Sequence, residues 1–149
     1  MDKIMQSRVN VQQAEPQAFE AMIGMEKYLG STGQDTALVE LIKIRASQLN
    51  GCAYCIQMHV DIARKQGETE ERINAISAWK ESPLFSDKER TLLALTDEIT
   101  NISNHAVREK TYRDCQSYFN ENEIAQYIMQ IVQINSWNRI ALATKLEHD

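Results

Sequence analysis

The chain has 149 residues, 43% hydrophobic and 25% charged, a balance ordinary for one globular domain able to bury its own core. Sixteen lysines and arginines against twenty-one acids leave a net charge of −5, which speaks against nucleic-acid binding. No apolar run approaches the ~20 residues of a membrane span, and the polar opening Met1 to Gln13 lacks a signal-peptide pattern, so no membrane association and a cytoplasmic location are expected. Two prolines and five glycines punctuate the chain, and no clean apolar alternation suggests a strand.

Taken in order, Pro16 suits the first position of a helix carrying Phe19, Met22, Ile23 and Leu29, which Gly30 can stop. Ser31 to Asp35 reads as a loop. A second helix places Leu38, Leu41, Ile42, Ala46 and Leu49 on one stripe and ends at Asn50-Gly51. Ala53 to Gln66 reads as a third helix, stopped by Gly67, and Thr69 can cap a short fourth bearing Ile73, Ile76 and Trp79. Ser86 with Glu89 forms a capping box for a helix through about Ile102, with Leu92, Leu95, Ile99 and Ile102 as its stripe. A helix from about Ala106 to Tyr118 follows the polar break Ser103-Asn104-His105. Asn120 with Glu123 then opens a long last helix containing Ile124, Ile128, Ile131 and Trp137, widened by Val132, Ile134 and Ile140. The expectation is an all-α single domain over residues 1–149, with the first fifteen or so residues able to form an arm. The wide apolar face of the last helix, with Ile131, Val132, Ile134 and Trp137, predicts a homo-oligomer.

Three cysteines are too few for a disulfide scaffold, and two stand close together in Cys52-Ala53-Tyr54-Cys55. Placed where a helix begins after the Asn50-Gly51 turn, they share a face, so their sulfurs can meet. Free N–H groups and the dipole at a helix start stabilise a thiolate. His59 lies one turn beyond Cys55 on that face. A tight turn at Gly51 would run the preceding helix back alongside, so that Glu40 could face the sulfurs directly, through His59, or through water. Two thiols, an imidazole and a carboxylate suit proton-coupled thiol chemistry. They also count as four possible zinc ligands, although structural zinc usually draws on two separated pairs, and inert core cysteines are a third reading. Ile56 stands where c-type haem attachment needs a histidine, and the strands of a thioredoxin are missing.

The spacing Glu40, eleven residues, Cys52-x-x-Cys55, three residues, His59 resembles the core signature of the alkyl hydroperoxidase D-like (AhpD-like) family of the carboxymuconolactone decarboxylase superfamily. Arg45 to Cys55 looks like one branch of it, as do Ala78-Trp79, Phe85-Ser86 with Glu89-Arg90, and Ile134 to Arg139, so the likeness spans about Pro16 to Lys145. The resemblance implies an oligomerising AhpD-like helical bundle with thiol peroxidase (peroxiredoxin-type) activity. Cys55 would attack the peroxide and pass through a sulfenic acid, Cys52 would close a Cys52–Cys55 disulfide, and Glu40 and His59 would relay the proton. No further cofactor is implied; a hydroperoxide substrate and an external dithiol or lipoyl-type reductant are. Well-studied members carry a histidine just before the second cysteine, where this chain has Tyr54, a poor base near neutral pH, which implies a simpler relay. Members lacking both cysteines decarboxylate a lactone, and the presence of Cys52 and Cys55 argues against that chemistry. The competing expectation is a non-enzymatic redox-sensing or zinc-binding subunit.

The remaining candidates read as structural. Cys115 sits alone in a polar helix, and His105 and His148 fall in a loop and a tail where they would be solvated. Trp137, Asn135, Asn138 and Arg139 could line a site, but Trp137 continues the apolar stripe, which favours core or interface. Arg45 can pair with an acid.

Overall fold

Side-chain caps set most helix starts in the computed structural model, which describes residues 8–147. Eight α-helices and no strand are found among the described residues: α1 (Val11–Ala14), α2 (Pro16–Ser31), α3 (Thr36–Asn50), α4 (Ala53–Lys65), α5 (Glu70–Ala75), α6 (Asp87–Thr100), α7 (Glu109–Tyr118) and α8 (Glu121–Thr144), with a 3₁₀ turn at Ile76–Ala78. Asp35 accepts from Ala37 N at 2.9 Å to open α3, and Thr69 caps α5. The capping boxes Ser86/Glu89 and Asn120/Glu123 both form. Each cap satisfies N–H groups that the first helical turn leaves free, at about 1 kcal/mol apiece.

The core lies where α3, α6 and α8 meet. Ile42, Ile44, Leu93 and Ile131 are fully buried there, and truncating any one to alanine costs about 2–5 kcal/mol. Asp97 on α6 ties the layers: Arg45 Nε of α3 donates to Oδ1 at 2.7 Å, and Trp79 Nε1 donates to Oδ2 at 3.2 Å. This is the acid partner expected for Arg45. Helix α2 lies across α8, where the Phe19 and Trp137 rings meet edge to face at 5.5 Å and Trp137 Nε1 donates to Glu26 Oε1 at 2.7 Å. In the expected arm, α1 makes one helical turn and Arg8 reaches the carbonyl of Ala143 at the end of α8, 2.9 Å away.

Several boundaries differ from the sequence expectation. Gly30 lies inside α2, which runs on to Ser31 because the Ser31 and Thr32 hydroxyls bond back to the carbonyls of Tyr28 and Leu29; Gly33, at φ 77°, makes the stop. Helix α6 ends at Thr100, so Ile102 leaves the helical register and is 56% exposed rather than part of a buried stripe. Arg108 is extended, which delays α7 to Glu109 instead of Ala106. On α8, Ile131 and Ile134 are buried within the chain and Trp137 packs against its core, leaving Val132 exposed. The face expected to be surplus is thus largely covered from inside. His148 lies outside the described residues.

Helix α8 ends in a Schellman motif with Lys145 at the left-handed position, φ 54° and ψ 48°. A side chain with a Cβ is strained there, and Lys145 is exposed. Lys145→Gly should therefore raise stability by about 0.5–1 kcal/mol, read as a higher urea midpoint at unchanged m-value.

Candidate active site

The site grows from the reversal between α3 and α4. Gly51 adopts φ 68° and ψ 32°, its N–H donating to Gln48 O and that of Cys52 to Ser47 O at 3.0 Å. This closes α3 and turns the chain straight into α4, whose N-cap is Cys52. The sulfur takes the place of the usual hydroxyl or carboxylate cap, since Cys55 N donates to Cys52 Sγ at 3.3 Å. The two sulfurs lie 2.26 Å apart, at disulfide distance, with their Cα atoms 5.3 Å apart. Cys52 is 1% and Cys55 4% exposed, clustered with Ala141 of α8, and Tyr54 packs against the cluster.

One turn beyond Cys55, His59 points to the neighbouring helix, where its Nδ1 and Glu40 Oε2 share a hydrogen bond of 2.9 Å. Both side chains are buried, so the pair sits in a low-dielectric surrounding where it is little screened. In a neutral imidazole, an Nδ1–H that donates to Glu40 leaves Nε2 as the acceptor, the tautomer a general base needs. Among the described residues no hydrogen bond joins His59 to either sulfur. On the far side of Glu40 a cavity of about 130 Å³ opens between Ala37, Leu41, Ala63 and Gln66. Ala63 is eight residues past Cys55, about 12 Å along the helix, so the cavity lies at the opposite end of the pair from the cysteines. Also among the described residues, no three of His, Cys, Asp and Glu are grouped so as to hold a metal ion.

Behind the cysteines stands a polar network that the sequence announced only as residues able to line a site. Asn50 Nδ2 donates to both Asn135 Oδ1 and Asn138 Oδ1 at 2.9 Å, and Asn138 Nδ2 donates to Ser47 Oγ at 3.0 Å. Their i, i+3 spacing on α8 was the available signal. Arg139 donates to Asn135, and His105 is exposed in its loop.

Cys115 stands apart, fully buried and unbonded to another cysteine. Burial, reinforced by the charges of Asp114 and Glu98, pushes its thiol up from 9.0 to about 11. It is therefore a protonated, inert side chain at neutral pH. Because the folded thiol holds its proton more tightly than the unfolded one, its contribution is complete below pH 9 and is lost as the pH rises towards 11. Wild type should lose about 2 kcal/mol more stability than Cys115→Ala between those limits, measured by urea unfolding across the range. Iodoacetamide at pH 7.5 should leave Cys115 unlabelled in the native protein, as read by peptide mapping.

Comparison with known proteins agrees with this architecture. A family model described as the carboxymuconolactone decarboxylase family matches residues 16–98. The uncharacterised protein YdfG of Bacillus subtilis is 41% identical over 139 residues, covering 93% of this chain and 95% of its own. A crystal structure of a protein of unknown function from Agrobacterium tumefaciens, suggested to be the antioxidant defence protein AhpD, superposes with a TM-score of 0.93 at 38% identity, over 97% of this chain and 99% of that one. An uncharacterised peroxidase-related protein from Silicibacter shares the fold at 22% identity, with a TM-score of 0.80 over 94% of this chain and 76% of that one. With its helical bundle and its paired cysteines at the start of α4, the chain belongs to the carboxymuconolactone decarboxylase family, among the proteins with the AhpD-like fold.

Proposed function

We propose that the protein is a thiol-dependent peroxidase. The observation that carries this reading is a buried Glu40–His59 hydrogen bond one helical turn from a cysteine pair at disulfide distance. Cys55 loses its proton to the relay and its thiolate attacks the terminal peroxide oxygen. The O–O bond breaks, the sulfur becomes a sulfenic acid, and the relay returns the proton to the departing alkoxide, which leaves as an alcohol. The Cys52 thiol then attacks Cys55 Sγ, forming the disulfide and releasing water. A dithiol or lipoyl-type reductant reopens it by exchange and is itself oxidised to a disulfide. Tyr54 packs on the pair where other members place a histidine, so Glu40 and His59 carry the proton without a third base. We further assign the protein to a reducing cytoplasm and to a homo-oligomer, for which Val132 and Leu142 remain exposed on α8.

Five measurements test this. Cys55→Ser should abolish turnover of a hydroperoxide panel with dithiol donors, and Glu40→Gln should slow Cys55 oxidation about 10²–10⁴-fold while leaving the disulfide able to form. Wild-type rates in Glu40→Gln would remove the carboxylate from the mechanism. Cys52→Ser should consume one peroxide equivalent and accumulate a sulfenic acid on Cys55, trapped with dimedone and read by mass spectrometry; the trap on Cys52 in Cys55→Ser would reverse the roles. Stoichiometric zinc lost on substituting either cysteine would replace the peroxidase with the metal-binding reading. Light scattering should give a multiple of the 17.1 kDa chain mass.

A further inference from the structure

Asn138 is 0% exposed, and both ends of its amide are engaged: Nδ2 donates to Ser47 Oγ at 3.0 Å and Oδ1 accepts from Asn50 Nδ2 at 2.9 Å. Its two partners stand just before the reversal, in the last turn of α3. The carbonyl of Ser47 receives the N–H of Cys52, and Asn50 directly precedes Gly51. Asn50 is held a second time by Asn135, which donates in turn to Thr100 Oγ1 on α6 at 3.0 Å. Three residues beyond Asn138, Ala141 joins Cys52 and Cys55 in one buried cluster. One short stretch of α8 therefore grips the turn that carries Cys52 and packs in the cysteines' cluster.

When the disulfide opens, its sulfurs must separate to non-bonded contact. Cys55 is fixed within a helix, whereas Cys52 sits on the turn, so the turn is the part free to take up the movement. A turn bonded to α8 through the buried Asn138 and the part-buried Asn135 has little room to do so. Asn138 and its two partners, Ser47 and Asn50, are neutral, so this network acts by geometry rather than by field.

We propose that Asn138 is a positioning residue for the redox pair, holding the Ser47–Gly51 turn so that the reduced Cys52 thiol stays at high effective concentration beside Cys55. This rests on the reading that the pair cycles between thiol and disulfide. Holding two reacting groups in place raises the equilibrium constant for joining them, by the same entropy that a linker or a positioned substrate supplies. Loss of the clamp leaves the atom balance unchanged: an external dithiol still gives two electrons and two protons to the disulfide and becomes oxidised. It shifts the poise of that exchange towards the protein dithiol.

The test is the equilibrium of the full-length protein with dithiothreitol redox buffers, read by alkylation mass shift, beside native-state hydrogen exchange at the Cys52 amide. Asn138→Ala should lower the effective concentration of the pair at least tenfold, a potential about 30 mV less reducing, and speed Cys52 amide exchange. Ser47→Ala should shift both in the same direction and carries the test if Asn138→Ala does not fold. Ile124→Ala, which opens a cavity at the far end of α8, should stay within twofold of wild type in both. The proposal is overturned if the Asn138 and Ser47 variants stay within twofold, or if Ile124→Ala moves the potential as far. A wild type that cycles without consuming peroxide sinks the peroxidase reading and leaves the clamp standing. If wild type resists reduction altogether, the redox reading falls, and unchanged Cys52 exchange in Asn138→Ala overturns the clamp as well.

Discussion

Everything at the site depends on one left-handed residue. Gly51 at φ 68° ends α3 in a conformation that costs any residue with a Cβ about 1–2 kcal/mol, and Cys52 follows at once as the cap of α4. Because the connection is so short, the two helices run back to back. Positions counted backwards from the turn on α3 then face positions counted forwards on α4, which sets Glu40 opposite His59. A longer loop would free the register between the helices and with it the carboxylate–imidazole contact.

The reversal also makes the two cysteines unlike each other. Cys52 belongs to the turn, caps a helix through its sulfur, and has its N–H committed to Ser47. Cys55 belongs to the helix, one turn from His59, and its N–H donates to the Cys52 sulfur. These different anchorages are what the proposed peroxidase reading uses when it assigns attack to Cys55 and resolution to Cys52. Cys115 shows a different environment: burial among acids, which keeps a thiol protonated.

The family match covers residues 16–98, yet the network behind the cysteines is completed by Asn135 and Asn138 on α8, beyond it. The site is therefore a joint product of the shared helical hairpin and of a last helix that lies across its end. The likeness to the Agrobacterium structure runs through that helix as well, since it covers 97% of the chain. Tyr54, part-buried, packs against the cluster that Cys52 and Cys55 form with Ala141.

Amino-acid order alone determined what depends on residues within a turn or two of one another. The capping boxes at Ser86 and Asn120, the stop at Gly51, and the shared face of Cys52, Cys55 and His59 were legible because capping and helical periodicity act over three or four residues. Glu40 was legible too, through the shortness of the turn. Packing decided the rest. Ile102 and Val132 have the same apolar chemistry as their buried neighbours and are exposed because α6 stops early and α8 presents Val132 to the outside. Ser47 and Asn138 stand 91 positions apart, and nothing in either neighbourhood names the other as its partner. A buried amide takes whatever donor or acceptor the crossing of two helices brings within 3 Å, and that crossing is set by how the whole core fills its volume.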